Sequence, residues 1–498
     1  MRPASRGPFS PPATVHGLAS TLVTNGSLPF IIVLVVLPSV IAAGHAIIYK
    51  RDSRGAVLWV GIIWFMPLLG PLLYFGFGIN RIKRRAVLLR QSLERYRAAP
   101  SVDPGVPEDH LPEGAEHLHA LARVVHTVTS RPLLPGNRIE ALVNGDAAYP
   151  AMLAAITGAR HSIALSTYIF NRDRAGTEFV AALGDAVRRG VAVRVLIDAT
   201  GTFFSWRPVL AALRRVHVPY ARFLPAFSLL HPVSLNLRNH RKLLVVDGRL
   251  GFTGGLNICD GHWLQRAPRT PVADHHFQVT GPVVAHLQEA FCDDWLFTTG
   301  EALRGDAWFP PLEPEGDVAA RGIADGPDED FEKIRWTLLA ALTAARHSVQ
   351  IVTPYFLPDT ALISALNLAA MRGVQVDILL PLKGDLPFVQ WASAAQWWQM
   401  LEHGCRIWIS PPPFDHSKLF IVDRCWVLCG SANWDPRSLR LNFEFDLECY
   451  DAAFARELAG RFETNLARAR RVTEAEANAR GLFVRLRDGL ARLFTPFM

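Results

Sequence analysis

The chain has 498 residues, a formal net charge of +7 at pH 7 and a hydrophobic fraction of 50%. This length predicts more than one domain, and a positive mean hydropathy is high for a wholly soluble protein. Nucleic-acid binding would call for basic residues interleaved with aromatic residues along a groove, and the sequence has no such stripe. Its modest positive charge suits an anionic lipid surface instead. The six cysteines include no Cys-x-x-Cys pair, so neither a disulfide framework nor a zinc site is predicted.

Two long uncharged segments lie near the N-terminus. Leu28 to Tyr49 and Ala56 to Ile79 contain 22 and 24 residues without a formal charge. As a helix, either would cross about 30 Å of hydrocarbon. Only six residues separate them, which favours a two-helix membrane hairpin at residues 28–80 over a signal peptide followed by a buried helix. Pro67 and Pro71 interrupt the second segment, which leaves a bent or re-entrant path open.

The rest of the chain is divided by polar and proline-rich stretches. A basic cluster opens residues 81–130, which we interpret as a juxtamembrane segment and linker, and it favours a cytoplasmic catalytic region. Proline-rich residues 306–330 lack hydrophobic periodicity and are predicted to link a first domain at 131–305 to a second at 331–470. The amphipathic tail at 471–498 has leucines at helical spacing with arginines between them. We expect it to lie on a membrane or to cap the second domain.

The two predicted domains repeat each other. The pentapeptide at 159–163 (ARHSI) corresponds to that at 345–349 (ARHSV), and the one at 189–193 (RGVAV) corresponds to 372–376 (RGVQV). Each half has the order helix, apolar strand, helix, apolar strand and then a further apolar strand. This alternation predicts an α/β layer architecture with buried strands. A repeat this long indicates duplicated domains rather than a solenoid.

The most specific pattern is His-x-Lys-x-x-x-x-Asp, which occurs twice. The copies comprise His240, Lys242 and Asp247 and, 176 positions later, His416, Lys418 and Asp423. Each copy is followed by a turn of small residues that ends in an asparagine, Asn257 or Asn433. On a strand, residues two apart project from one face, which places imidazole and ammonium side by side. A nucleophile, a cation and a neutral donor are what phosphate-ester chemistry needs without a metal.

These paired motifs resemble those of the phospholipase D superfamily. From about residue 28 to the end, the chain resembles the bacterial cardiolipin synthases that have two N-terminal membrane spans. The supporting segments are residues 239–242, 253–258, 353–356, 430–438 and 442–444. The resemblance implies two pseudo-symmetric phospholipase D-like α/β domains with mixed sheets sandwiched by helices, preceded by the membrane hairpin. It also implies a multi-pass protein of the bacterial inner (cell) membrane that needs no cofactor and no metal.

The resemblance further implies a role for each motif residue. One histidine would attack phosphorus and form a phosphohistidine, while the other protonates the leaving alcohol and then activates the incoming one. By analogy His240 attacks and His416 is the acid, although the near-symmetry of the halves leaves this open. Phosphate oxygens would be held by the two lysines and two asparagines, namely Lys242, Asn257, Lys418 and Asn433. Asp274 and Glu444 would orient the histidines, although Val272-Ala273 before Asp274 departs from the family pattern.

The motif aspartates and the substrate complete the expectations. Asp247 and Asp423 belong to the catalytic motif, and structural contacts behind the site are the favoured interpretation of both. The implied reaction joins two phosphatidylglycerol molecules reversibly into cardiolipin and glycerol at the membrane. A phospholipase D-type hydrolase or another phosphatidyltransferase would use the same residues. A nuclease or a non-catalytic scaffold fits less well. The sequence leaves open the oligomeric state and whether the second lipid is phosphatidylglycerol or phosphatidylethanolamine.

Overall fold

The computed structural model describes residues 27–50, 53–78, 96–97, 110–201, 209–224, 237–327 and 330–495. Its contacts divide the chain into two units, Met1–Arg81 and Ile82–Met498. The basic cluster at 81–90 and most of the segment before residue 110 lie outside the described residues, so the expectation of a juxtamembrane segment and linker falls largely there.

Within residues 27–50 and 53–78, the first unit contains three α-helices and a π-helical turn. They are α1 (Ser27–Tyr49), α2 (Ser53–Phe65), α3 (Leu69–Leu73) and the turn Tyr74–Gly78. Small side chains such as Ala42 and Ala46 pack against Ile63, which lets the first two helices approach closely. The predicted second span is broken after Phe65, because Pro67 has no backbone N–H and disfavours helix at the residue before it. Within the described ranges, no helix has both the length and the apolar character needed to cross a membrane.

The second unit is built from strands and helices in alternation. Its strands are β1 (Leu134–Val143), β2 (Ser162–Thr167), β3 (Ala192–Asp198), β4 (Tyr220–Phe223), β5 (Arg238–Asn239), β6 (Leu243–Val246), β7 (Leu250–Gly254), β8 (Val272–Ala273), β9 (His275–Thr280), β10 (Val318–Asp325), β11 (Ser348–Val352), β12 (Gln375–Pro381), β13 (Arg406–Ser410), β14 (Phe414–Asp415), β15 (Leu419–Val422), β16 (Trp426–Gly430), β17 (Asn442–Tyr450) and β18 (Arg470–Val472). Its α-helices are α4 (His119–Thr129), α5 (Asn144–Gly158), α6 (Arg174–Arg188), α7 (Leu210–Arg215), α8 (Val284–Thr299), α9 (Lys333–Ala344), α10 (Thr360–Met371), α11 (Pro387–Ala394), α12 (Trp397–Leu401), α13 (Pro436–Arg440), α14 (Ala452–Leu466), α15 (Glu474–Asn478) and α16 (Leu482–Leu493).

One mixed sheet runs through both halves of this unit. Its strand order is β18-β13-β12-β11-β15-β16-β17-β10-β1-β9-β7-β6-β2-β3-β4. Each half has three neighbouring parallel strands, β2-β3-β4 in the first and β11-β12-β13 in the second, and β18 adds an antiparallel outer edge to the second half. Antiparallel strands lie toward the middle, and the halves meet where β1 pairs antiparallel with β10. Apolar cores lie between the sheet and the helices on its faces. The predicted pair of α/β halves with mixed sheets sandwiched by helices is confirmed.

The predicted linker at 306–330 contains a central strand. All eight residues of β10 are buried, and the strand pairs with β1 on one side and β17 on the other. Its sequence Val-Ala-Ala-Arg-Gly-Ile-Ala-Asp has few β-branched residues and carries charges, so it lacks the local signature of a strand. Arg321 is accommodated because its guanidinium pairs with the buried Glu448 carboxylate. Sheet pairing on both sides therefore decides the conformation of this segment.

The predicted C-terminal tail is part of the second half. Strand β18 overlaps its start and pairs with β13. Farther along, Ala491 of α16 packs on Leu357 and on Ala392 of α11. The helix thus covers part of the second half, and it also keeps a large apolar face in solvent.

Candidate active site

A short strand pairing between the halves positions His240. Strand β5 of the first half runs parallel to the start of β17 in the second half, and the N–H of His240 donates to the carbonyl of Phe443 at 2.9 Å. This places Nδ1 of His240 2.9 Å from Oε2 of Glu444. Burial opposes ionisation of Glu444, but His240 and Lys242 hold its pKa below the usual value. Because an ionised carboxylate only accepts hydrogen bonds, Nδ1 carries the proton in the neutral ring and Nε2 keeps its lone pair.

His416 is held in the mirrored way. Strand β14 of the second half runs parallel to β8 of the first, and the N–H of His416 donates to the carbonyl of Ala273 at 2.8 Å. Nδ1 of His416 then lies 2.8 Å from Oδ2 of Asp274. Each of the two acids expected to orient a histidine therefore contacts one: Glu444 contacts His240 and Asp274 contacts His416. Both contacts cross the boundary between the halves.

Buried polar groups hold the Glu444 carboxylate in place. The hydroxyl of Ser431 donates to Oε2 at 2.6 Å, and Nδ2 of Asn442 donates to Oε1 at 3.0 Å. These two residues were not among the predicted site residues. Both lie within the motif segments 430–438 and 442–444, and membership of these segments was the available signal. A carboxylate with two such donors and an imidazole keeps one orientation.

The Asp274 carboxylate depends on a glycine. Its Oδ1 accepts the N–H of His275 at 2.8 Å. A Cβ atom on Gly255 would lie 2.3 Å from the same oxygen, so any larger side chain would displace the carboxylate. Burial raises the pKa of Asp274, and the nearby Lys418 ammonium opposes that rise.

The two motif lysines are buried beside the histidines. Nζ of Lys242 donates to the carbonyl of its own His240 at 2.7 Å, and Nζ of Lys418 does the same with His416. Burial lowers the pKa of Lys242 to about 7, against the opposing effect of Glu444. Burial also lowers the pKa of Lys418. An arriving phosphate anion would stabilise the charged form of both groups.

Both imidazoles are shifted toward the neutral form. Burial lowers the pKa of His240, and Glu444 partly offsets this. The pKa of His416 falls well below its usual value because of burial and the charges of Lys418 and Lys242. A neutral imidazole suits a nucleophile, whereas the negative charge of a bound phosphodiester would favour protonation of its partner.

The two asparagines of the small-residue turns are also buried. The Oδ1 atom of Asn257 accepts the N–H of Ile169 at 3.2 Å, which leaves the amide nitrogen as the donor of that side chain. Nδ2 of Asn433 lies 3.3 Å from the hydroxyl of Ser438. Neutral donors in these turns suit the oxygens of a phosphate group.

The motif aspartates lie at the other end of the motif strands. The carboxylate of Asp247 accepts the N–H groups that open β2, those of Arg160, His161 and Ser162, at 2.7–2.9 Å. Asp423 does the same for residues 346–348 at 2.7–2.8 Å, and His117 adds a contact at 2.7 Å. Strands β6 and β15 separate these aspartates from the histidines by more than about 10 Å, given roughly 3.3 Å per residue. Although both aspartates belong to the catalytic motif, the structure places their carboxylates on backbone N–H groups behind the site and not beside the histidines.

Aromatic residues complete the surroundings of the histidines. The ring of Tyr168 lies 5.2 Å from that of His240, and the ring of Tyr355 lies 6.3 Å from that of His416. The ring of His262 is also 6.3 Å from His416, and burial lowers its pKa to about 4. The two tyrosines follow the equivalent strands β2 and β11 but are offset by one position in the internal repeat. A tyrosine just after each of these strands was the signal that could have marked them as site residues.

The sequence matches known families and known proteins over most of its length. A family model described as "Cardiolipin synthase, PLD-like domain" matches residues 152–295 and 338–466, and one described as "Phospholipase_D-nuclease N-terminal" matches residues 31–78. Cardiolipin synthase A of Pseudomonas fluorescens strain SBW25 is 34% identical over 92% of this chain and 96% of its own length. Cardiolipin synthase A of Pseudomonas aeruginosa strain PAO1 is 34% identical over 92% and 94%.

A solved structure supports the fold. The phosphatidylserine synthase of Haemophilus influenzae Rd KW20 superimposes with a TM-score of 0.58 at 15% identity, covering 76% of this chain and 100% of that one. The fold and the paired motifs define a phospholipase D-type enzyme. With the sequence matches over most of its length, the chain belongs to the cardiolipin synthase family of this superfamily.

Proposed function

We propose that this chain is a cardiolipin synthase, a phosphatidyltransferase that joins two phosphatidylglycerol molecules into cardiolipin and glycerol. The observation that carries the proposal is the pair of imidazoles, each held by a buried carboxylate of the opposite half and each beside a buried lysine. Relatives named cardiolipin synthase A support the choice of substrate class.

In the proposed reaction, Nε2 of His240 attacks the phosphorus of the first phosphatidylglycerol. The bond from phosphorus to the glycerol oxygen breaks, and the glycerol leaves with a proton from His416. A phosphatidyl group is now bonded to His240. The free hydroxyl of the second phosphatidylglycerol then gives its proton to His416 and attacks phosphorus, which releases His240 and completes cardiolipin. The bonds formed and broken are equivalent, so the transfer is reversible.

The surrounding residues have separate roles in this scheme. The Lys242 and Lys418 ammonium groups would bind the phosphate oxygens as charge builds, with the amides of Asn257 and Asn433 beside them. Glu444 and Asp274 would fix the proton on Nδ1 of each histidine, as the aspartate of a Ser-His-Asp triad does for its histidine. The proposal also includes two domains at residues 131–305 and 331–470. Strand β10 lies between these ranges and pairs with one strand of each.

The proposed location is the bacterial inner membrane, with two N-terminal spans and a cytoplasmic catalytic region. It rests on the two long uncharged segments and the basic cluster that follows them. Both substrates are lipids, so attachment to the bilayer would raise their concentration at the site. The same residues would serve if the second lipid were phosphatidylethanolamine. They would also serve if water accepted the phosphatidyl group and gave phosphatidic acid.

A lipid product assay tests the proposal. Full-length protein in vesicles receives labelled phosphatidylglycerol, beside His240→Ala and His416→Ala variants. The unsubstituted chain is expected to produce cardiolipin and free glycerol in equal amounts. Neither variant is expected to produce them. Radiolabelled phosphatidyl groups bonded to the protein are expected in the unsubstituted chain and not in His240→Ala. Phosphatidic acid as the main product would identify a hydrolase instead, and no turnover would contradict the proposed function.

A further inference from the structure

The outward face of helix α16 is apolar. Its large exposed side chains are Leu482, Phe483, Leu486, Leu490 and Leu493, followed by Phe494. Phe483 is 87% exposed and Leu493 is 71% exposed. At 3.6 residues per turn, these positions fall within a stripe of about 120°. Asp488 and Ala491 are buried on the opposite side, so the stripe faces away from the protein.

The apolar surface continues onto helix α11 and the loop before it. The ring of Phe388 lies 5.8 Å from that of Phe494, and Leu382 and Leu386 are exposed beside them. The two helices pack through Ala392 and Ala491. We refer to the exposed side chains of residues 382–388 and 482–494 as the α11–α16 platform.

Specific polar contacts hold the platform in place. Arg480 donates to the buried Asp488 carboxylate at 2.7 Å, and Arg487 donates to its other oxygen at 2.8 Å. The Arg487 guanidinium also lies 4.5 Å from the Trp391 ring of α11. These contacts fix the rotation of α16 about its axis. The side chains that hold the helix against α11 therefore also direct its apolar stripe outward.

The platform adjoins the His416 side of the candidate active site. Asp385, in the loop before α11, accepts a hydrogen bond from the Tyr355 hydroxyl at 2.6 Å. The Tyr355 ring lies 6.3 Å from His416. Leu357, two residues later, packs on Ala392 and Ala491. A surface that contacted the platform would therefore lie near Tyr355, on the His416 side of the candidate site.

The charges of the platform indicate what covers it. Arg485 and Arg492 are exposed on one flank of the stripe, and Arg487 lies on the other. The only acidic residue of α16 is Asp488, which is buried in its arginine contacts. An apolar stripe flanked by arginines suits an anionic lipid surface. A two-fold contact with a second copy would instead bring arginines against arginines.

We propose that the α11–α16 platform docks onto the anionic face of a bilayer and presents the His416 side of the site to the lipid headgroups. The leucine and phenylalanine side chains enter the boundary between headgroups and acyl chains, and the arginines bind lipid phosphates. The inference rests on the proposed function for its substrate class, whereas docking itself is measured without turnover.

A site-directed quenching experiment tests docking. Leu490→Cys and, as a control, Leu368→Cys on α10 are labelled with bimane in the full-length chain. Leu368 is 53% exposed in the same half, and five of the six native cysteines are buried. The chain is reconstituted in phosphatidylglycerol vesicles that contain nitroxide lipid. Quenching at least about threefold stronger at position 490 than at 368 is expected, because only the former would enter the lipid layer. Equal quenching at both positions overturns the proposal.

A kinetic comparison tests whether docking serves catalysis. The Leu486→Ser/Leu490→Ser variant is compared with Leu368→Ser on vesicles and on short-chain phosphatidylglycerol dissolved as monomers. We expect about tenfold lower kcat/KM on vesicles for the first variant alone, with the rate on monomers unchanged. Equal loss on both substrates overturns the proposal. No turnover of either substrate by the unsubstituted chain would refute the proposed function, while the quenching result would still decide docking.

A charge variant provides the second line of evidence. Arg485→Glu/Arg492→Glu changes only exposed side chains, so the fold is expected to be retained. Quenching of the label at position 490 should fall on phosphatidylglycerol vesicles and change little on phosphatidylcholine vesicles. Quenching that is insensitive to these substitutions on anionic vesicles overturns the role of the arginines. Weak quenching at 490 that rises when the protein is diluted at constant lipid would identify a second copy as the occupant, because that copy would shield the label from lipid, and would overturn the proposal.

Discussion

Nδ1 of His240 lies 2.9 Å from Oε2 of Glu444, although 204 positions separate the two residues in the chain. His416 and Asp274 form the reciprocal pair, 142 positions apart. Each half therefore supplies the imidazole of one pair and the carboxylate of the other. Neither half alone contains both members of a pair, so we expect the two motifs to act as one site.

Glu444→Gln is expected to lower kcat by about 10²–10⁴-fold with little effect on folding. The amide keeps the size of the side chain but no longer enforces the proton on Nδ1 of His240, so the wrong tautomer becomes accessible. The measurement is kcat on phosphatidylglycerol together with the rate at which label accumulates on the protein. Asp446→Asn, two residues along the same strand, is the matched control. Retention of more than a third of kcat in Glu444→Gln would contradict an orienting role.

The pKa of Lys242, which burial lowers to about 7, predicts an alkaline limb in the pH profile. The ammonium form is present below that pKa and is lost as the pH rises through it, so kcat/KM should fall above about pH 7. Lys242→Arg keeps its charge at every accessible pH. We expect this variant to be slower, because guanidinium geometry differs, but to lose the alkaline limb. Identical alkaline limbs in the two proteins would show that another group titrates.

Asp247→Ala should destabilise the protein rather than its chemistry. Its carboxylate accepts three backbone N–H groups at the start of β2, and its φ of 52° is unfavourable for alanine. We expect a loss of about 1–3 kcal/mol in the free energy of unfolding, measured by denaturant titration. Asp247→Asn should lose less, because asparagine tolerates this conformation. A thousandfold fall in kcat at unchanged stability would restore a catalytic role for Asp247.

The buried pair Arg321 and Glu448 joins β10 to β17, and both side chains are inaccessible to solvent. Arg321→Met should lower the free energy of unfolding by about 3–5 kcal/mol, because it leaves a buried carboxylate without its cation. The double variant Arg321→Met/Glu448→Leu should recover most of this loss. Denaturation midpoints of the three proteins provide the comparison. A double variant less stable than the single one would contradict this account.

Gly255→Ala should impair catalysis through Asp274. The added Cβ would lie 2.3 Å from Oδ1 of Asp274 and would push the carboxylate away from His416. We expect kcat to fall by about 10²-fold, in the range lost when general acid–base catalysis is impaired. Gly460→Ala on helix α14 is the control, because nothing lies within 4 Å of its added Cβ. Similar kcat values for the two variants would mean that Asp274 can move without consequence.

Much of the architecture follows from local sequence patterns. The apolar segments Leu243–Val246 and Leu419–Val422 predict buried strands, and the structure has β6 and β15 at these residues. The internal repeat predicts two similar halves. Strand β10 could not be predicted in the same way, since its alanines, glycine and arginine become strand only because β1 and β17 pair with both of its edges.

By itself, the sequence pointed to the candidate site residues, because the His-x-Lys pattern and the turn ending in asparagine occur in both halves. It also showed that the motif is duplicated. The structure places His240–Lys242 and His416–Lys418 just before β6 and β15 rather than on a strand. Only the tertiary structure decided which acid serves which histidine. The pairings of β5 with β17 and of β8 with β14 are two residues long and join segments far apart in the chain, so no local pattern encodes them. The same long-range packing directs the motif aspartates to the backbone behind the site and the apolar face of α16 to the outside.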